Sequence, residues 1–303
     1  MDNRPIGVFD SGLGGLTVLK EIRKMLPDEN IVYFGDCGRT PYGVKSPETV
    51  RRYTFQNIRF FMEVGVKLLV IACNTSSACA YTQVSEVLDI PVVEVIRPGS
   101  RAAARVTRNG KVGVIGTTAT IASRVYEDVL REIAPSVDVY TKACPLFVPL
   151  AEEGPLWWDH ESARIVAEVY LAGLRETGID CLLLGCTHYP LLGGVIQRVV
   201  GEGIELVSSA QAVAAEVCGK LEQMGIRREA GQQRRQQPEA LQPEAGQQRH
   251  ENAGQQPEAG QRIEFYTSDS PEKFEPLCGA ILGEPTGARV FWLDIEKYES
   301  RIT

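Results

Sequence analysis

Cys73 and Cys186 are the residues of this chain best placed to do chemistry. Cys73 lies in Ala72-Cys73-Asn74-Thr75 and Cys186 in Gly185-Cys186-Thr187-His188, so each thiol is followed directly by polar side chains. Two thiols facing one sp3 carbon from opposite sides can invert it. A thiolate removes the proton from one face, a thiol returns one to the other, and the two exchange roles with direction. Free cysteine titrates near about 8.5, lower beside a helix N-terminus or a cation, so a thiolate is within reach at neutral pH. Asp10, near the first site, and His188, two residues beyond Cys186, can move protons for the thiols or hold a substrate amine. Ser11, Asn74, Thr75, Thr117, Thr118 and Thr187 can bind carboxylates together with backbone N–H groups. The other six of the eight cysteines, Cys37, Cys79, Cys144, Cys181, Cys218 and Cys278, read as small buried hydrophobes.

No metal and no cofactor are expected. The chain has no C-x-x-C pair and three histidines, His160, His188 and His250. Cys186 with His188 offers two ligands where a structural zinc takes four. No lysine motif suggests pyridoxal phosphate.

The elements that must deliver the two thiols are strands. Leu68-Leu69-Val70-Ile71 runs into the first cysteine and Cys181-Leu182-Leu183-Leu184 into the second, each the continuous apolar run of a buried parallel strand. Ile6-Gly7-Val8-Phe9-Asp10-Ser11 resembles Val112-Gly113-Val114-Ile115-Gly116-Thr117 in its apolar-Gly-Val-apolar order and closing hydroxyl. The offsets nearly agree, since 117 − 11 = 106 and 186 − 73 = 113. Buried strands resemble one another in any α/β protein, but two matches in one order at similar spacing favour two similar α/β halves, each a mainly parallel sheet flanked by helices. The site is then expected in the cleft between them.

Asp10-Ser11-Gly12-Leu13-Gly14-Gly15 follows the first strand and precedes a helix marked by Leu16, Leu19, Ile22 and Leu26. Its glycines suit close approach of backbone N–H groups to an anion, though their spacing departs from a dinucleotide fingerprint. A long polar loop, residues 35–43, follows strand Ile31 to Phe34, and Ser46-Pro47 opens a helix to about Val64. After Pro98-Gly99 the pattern restarts, with a strand from Val112 to Ile115 and a helix near Ile121 to Ile133. Cys144 to Leu150 carries two prolines and reads as irregular; it leads to Glu152, a carboxylate placed for tuning. Further expectations are a helix from about His160 to Glu176, a strand near Ile204 to Val207 and a helix capped by Ser208. Strands Ile263 to Tyr266 and Arg289 to Leu293, with a helix Pro271 to Leu282, then complete the first half. The domains expected are therefore 1–97 plus 207–303, and 98–206.

Residues 229–261 are different in kind. Glu-Ala-Gly-Gln-Gln-Arg occurs at 229 and again at 244, and apolar side chains are too few to offset the entropy of ordering, so a disordered insertion is expected.

Composition sets the remaining bounds. With 303 residues, 44% hydrophobic and 23% charged, the chain is long enough for two domains with their own cores. A formal charge of −7 opposes nucleic acid or an anionic membrane as partner. No apolar run approaches the roughly 20 residues that span a bilayer. The start, Met1 to Pro5, lacks the regions of a secretory signal, so a cytoplasmic protein with reduced thiols is expected. A homodimer is the expectation, two-fold dimers being the commonest oligomers.

As a set, Asp10-Ser11-Gly12-Leu13-Gly14-Gly15, Pro41-Tyr42-Gly43, Ala72-Cys73-Asn74-Thr75, Glu152-Glu153-Gly154 and Gly185-Cys186-Thr187-His188-Tyr189-Pro190 resemble the motifs of bacterial glutamate racemases. The resemblance covers nearly all of the chain except 229–261. It implies cofactor-independent interconversion of L- and D-glutamate, supplying D-glutamate for peptidoglycan. It also implies residue roles: Cys73 deprotonates D-glutamate assisted by Asp10, and Cys186 deprotonates L-glutamate assisted by His188 and Glu152. Ser11, Tyr42, Gly43, Asn74, Thr75 and Thr187 hold the substrate in this scheme, with Thr117 and Thr118 as further contacts. Two other readings remain open: an aspartate or other amino-acid racemase of the same superfamily, and a non-catalytic amino-acid-binding protein on the same fold.

Overall fold

The computed structural model describes residues 2–228, 261–283 and 289–298. Apart from Gln261, the segment 229–261, expected to be disordered, lies outside the described residues.

The first half begins β1 Ile6–Asp10, α1 Leu16–Met25, β2 Ile31–Gly35, α2 Pro47–Val64, β3 Leu68–Ile71, α3 Asn74–Val87 and β4 Val92–Glu94. Helix α4, Ile96–Val106, leads to β5 Lys111–Gly116, α5 Thr118–Ala122, α6 Val125–Ile133, β6 Asp138–Ala143, α7 Phe147–Glu152, α8 Pro155–Trp158, α9 Glu161–Glu176, β7 Cys181–Gly185, α10 Gly193–Val200 and β8 Glu205–Ser208. The chain then returns through α11 Ala210–Gln223, β9 Ile263–Thr267, α12 Pro271–Leu282 and β10 Val290–Trp292.

All strand pairs are parallel, in two sheets ordered β10-β9-β2-β1-β3-β4 and β6-β5-β7-β8. The order β2-β1-β3-β4 is thus repeated as β6-β5-β7-β8, and the two resembling strands, β1 and β5, hold the same place in it. Gly7 and Gly113 match as well. A Cβ on Gly7 would lie 2.6 Å from Phe61 Cδ1, and one on Gly113 2.6 Å from Ile179 Cδ1. Each glycine therefore lets a neighbouring apolar side chain lie against its strand.

Alternation across the strands builds the core. Ile6 and Val8 of β1, Val112 and Val114 of β5 and Cys181 and Leu183 of β7 share one buried cluster with Val213 and Val217 of α11. Phe9 turns the other way, towards Phe34 and Phe61, and Leu182 and Leu184 turn towards Phe147 and Tyr189. A single apolar layer therefore runs through both halves, with a separate outer layer on each. Among the described residues no helix is long and apolar enough to cross a membrane.

Several local elements differ from expectation. The helix expected from Ile121 to Ile133 is two, α5 and α6, broken at Arg124, whose φ of 59° is left-handed. Two helices were not anticipated: α7, where the prolines suggested irregular chain, and α4, for which no element was expected; α4 carries Pro98 and α7 carries Pro149, each at its third residue. In a first turn a missing N–H costs no intrahelical bond, so proline is tolerated there. The carboxylate of Glu94 caps α4, accepting from the amides of Ile96 and, at 2.8 Å, Arg97. Strand β6 was not anticipated; as an edge strand with a mostly half-exposed pattern it lacks the continuous apolar run of its neighbours.

Candidate active site

In each sheet the chain moves to one side after the first strand of the repeat and to the other after the second, so a crevice opens at the carboxyl ends of β1/β3 and of β5/β7. Such switch points are where open parallel sheets bind ligands. Asp10 ends β1 and Cys73 lies two residues past β3; Thr117 follows β5 and Cys186 follows β7. The duplicated fold thus delivers one hydroxyl-bearing loop and one thiol from each half to the same region.

Cys73 is the N-cap of α3, its sulfur accepting from the Ser76 amide at 3.5 Å and standing 3.5 Å from Ser11 Oγ. Burial, and then the Asp10 carboxylate, push its thiol up to about 11, against the opposing bonds from Ser11 and Ser76. Asp10 is fully buried; its Oδ2 accepts from the Gly12 amide at 3.1 Å and its Oδ1 from Thr187 Oγ1 at 3.3 Å.

On the other side, Cys186 Sγ is 3.7 Å from His188 Nδ1, and His188 Nε2 is 3.0 Å from Glu152 Oε1. Burial alone would lower the His188 imidazole. The Cys186 and Glu152 partners outweigh it and hold the ring well above the ordinary histidine range. Cys186, His188 and Glu152 therefore form a chain along which a proton can move between the sulfur and a part-exposed carboxylate.

A third group is made of hydroxyls. Thr75 Oγ1 lies 3.0 Å from Thr117 Oγ1 and 3.2 Å from Thr120 Oγ1, and the last two are 2.9 Å apart. Thr75 comes from the first half and the other two from the second. Gly43 packs against this group, since a Cβ there would lie 2.3 Å from Thr117 Cβ. Asn74 Nδ2 donates to Tyr126 Oη at 2.7 Å, while its buried Oδ1 has no partner among the described residues.

Two expected contacts are placed differently from the rest. Tyr42 is buried, but its hydroxyl is committed to Asp36 and, at 3.1 Å, to Asn57, so its side chain props the 37–43 loop. Thr118 is exposed at the first residue of α5, outside the hydroxyl group that Thr120 completes.

Sequence reasoning passed over Thr120, Tyr126 and Thr40. Thr120 carried a signal: three residues after Thr117, its amide is the one that a Thr117 N-cap takes, at 3.3 Å. Tyr126 and Thr40 carried none, because their partners lie 52 and 112 residues away in the chain. The glycines of the Asp10 loop also have a use that spacing does not reveal. A Cβ on Gly14 would lie 2.4 Å from His188 Nδ1 and 2.5 Å from Thr187 Oγ1, and one on Gly12 2.7 Å from Glu152 Oε1. Neither residue is at positive φ; what they permit is the approach of one half's loop to the other half's proton chain.

The chain as a whole is similar to known proteins. A family model described as Asp/Glu/Hydantoin racemase matches residues 6–217. A glutamate racemase of Geobacter metallireducens is 58% identical over 211 residues, 70% of this chain and 77% of that protein. The crystal structure of a glutamate racemase isoform from Bacillus anthracis is similar with a TM-score of 0.82 and 36% identity, over 97% of this chain and 98% of the other. That of glutamate racemase from Francisella tularensis in complex with D-glutamate gives a TM-score of 0.81 and 33% identity, over 98% and 100%.

Proposed function

The chain belongs to the Asp/Glu/Hydantoin racemase family, and on that premise we propose that it interconverts L- and D-glutamate by two-thiol chemistry at Cys73 and Cys186. It is an isomerase, a glutamate racemase by its relatives. The observation that carries the two-thiol scheme is the duplicated switch point, with a buried cysteine just beyond β3 and another just beyond β7, and separate proton partners for each sulfur.

One thiolate takes the Cα proton from its face of the substrate, and the electron pair left on Cα spreads into the α-carboxylate. The opposite thiol then gives its proton to the other face. The configuration inverts and one proton has moved from the second sulfur to the first. Cys73 serves as base for D-glutamate and Cys186 for L-glutamate. Asp10 assists the first, and His188 with Glu152 returns the second to its starting state. Asp10 also suits the substrate ammonium. Ser11, Asn74, Thr187 and the Thr75–Thr117–Thr120 hydroxyls suit the two carboxylates, with Tyr42 and Gly43 shaping the wall behind Thr117; Thr118 offers backbone at the same loop. The scheme draws on the chain's own side chains alone.

The place proposed for this reaction is the cytoplasm, where D-glutamate would enter peptidoglycan synthesis, and the assembly proposed is a homodimer, to be checked by sedimentation velocity.

The test of function is Cα exchange followed by NMR in D2O with each enantiomer. Wild type is expected to place deuterium in both, and Cys73→Ser and Cys186→Ser each to lose racemisation by at least about 100-fold, the usual scale for removing an acid/base group. Because the enantiomers have equal free energy in water, kcat/KM must be the same in both directions. Absence of exchange with either enantiomer would discard glutamate racemisation, and turnover of D-aspartate in preference to D-glutamate would move the assignment to aspartate.

A further inference from the structure

The carboxylate of Glu152 is held from two sides. His188 Nε2 is 3.0 Å from Oε1, and Thr40 Oγ1 donates to the same oxygen at 3.3 Å. Glu152 ends α7 in the second half, whereas Thr40 lies in the loop between β2 and α2 in the first, so this hydroxyl reaches across the cleft.

The surroundings of the contact are built for it. Gly12 leaves the space in which the two groups meet, since a Cβ there would lie 2.7 Å from Glu152 Oε1 and 3.3 Å from Thr40 Oγ1. Gly12 is itself fixed, its carbonyl accepting from Tyr33 Oη at 2.9 Å. On the other side of Thr40, the Arg39 guanidinium bonds Asp36 at 2.8 Å, Gln56 at 2.6 Å and Asn57 at 3.1 Å, and lies 4.0 Å from the centre of the Tyr53 ring. The hydroxyl is thus presented from an anchored loop. Glu152 is less constrained, for its side chain is 22% exposed and free to turn towards water once a partner is lost.

We propose that Thr40 is a positioning residue for the Cys186 side of the reaction: its hydroxyl holds the Glu152 carboxylate against His188 Nε2. The Cys186–His188–Glu152 chain is then complete only when the loop of the opposite half is seated on it. This inference rests on the racemase reading for its meaning in catalysis, and on the contact alone for its effect on His188.

The titratable groups facing His188 are Cys186 and Glu152. Asp10 is reached through Thr187, and Cys37, on the Thr40 loop, interacts electrostatically with Glu152 and Asp10. Of the two partners that hold His188 high, Glu152 is the one Thr40 steadies.

The chain has three histidines, so imidazole NMR follows the His188 titration without any substrate. Thr40→Val, nearly isosteric, is expected to lower its midpoint by about one unit and kcat roughly tenfold in both directions, with KM little changed. Thr40→Ser is expected to restore both, and Thr40→Ala to reproduce the loss if the valine crowds the slot. An unchanged or raised His188 midpoint in the valine and alanine variants overturns the proposal, and so does an equal loss in Thr40→Ser. A wild type that racemises nothing overturns the functional reading instead, and the histidine titration still decides the role of Thr40.

Discussion

Thr187 donates to Asp10 across the cleft, Oγ1 to Oδ1 at 3.3 Å, joining the end of the second cysteine strand to the end of the first strand of the chain. Both side chains are buried, and a second tie runs alongside, Thr17 Oγ1 to the Thr187 carbonyl at 3.0 Å. The two halves are therefore joined by hydrogen bonds at the same place where the substrate ammonium is expected to sit.

A buried bond of this kind contributes about 1 kcal/mol net. In a double-mutant cycle of Asp10→Ala and Thr187→Val, read by urea unfolding of the ligand-free protein, a coupling of about that size is expected. Strictly additive losses would mean that the contact does not fasten the halves.

Gly14→Ala tests the approach of the loops. The new methyl would need the space of His188 Nδ1, the atom that faces Cys186. Activity is expected to fall at least about 100-fold, because the imidazole must swing away from the sulfur it serves. Gly219→Ala is the control: nothing lies within 4 Å of a Cβ there, and alanine in α11 should add up to about 1 kcal/mol of stability with activity unchanged. A fully active Gly14→Ala would mean that the loops do not meet this closely.

Against the expectation of a thiolate within reach at neutral pH, the Cys73 thiol, pushed up to about 11 by burial and then by Asp10, is almost wholly protonated there in the ligand-free protein, so the thiolate that the proposed scheme uses is a minor form. Since the thiolate is the form that reacts, alkylation of Cys73 by iodoacetamide should rise about tenfold per pH unit through the alkaline range and level off near that value. In Asp10→Asn the curve is expected to shift to lower pH, because a neighbouring negative charge has gone. Peptide mapping separates Cys73 from the other seven cysteines, and a rate already flat at pH 8 contradicts the assignment.

Much of the molecule is written locally. The apolar runs before Cys73 and Cys186 are buried strands because nothing polar interrupts them, and Ser46-Pro47 opens α2 because a capping hydroxyl and a first-turn proline need no distant partner. The likeness of β1 to β5 foretold the repeated strand order for the same reason: the strand pattern is written within each stretch of sequence. Where two prolines fell near the start of α7, the local signal misled, and the helix formed through Pro149 in its first turn. The contacts that make the site were not local at all. Thr40 meets Glu152, Asn74 meets Tyr126, Gly14 meets His188 and Thr75 completes a hydroxyl group with Thr117 and Thr120 only because two separately encoded halves close face to face. Spacing along the chain records which side chains stand at the ends of strands. It carries no information on which of them will touch across the cleft, because that depends on how the shared apolar layer packs one sheet against the other.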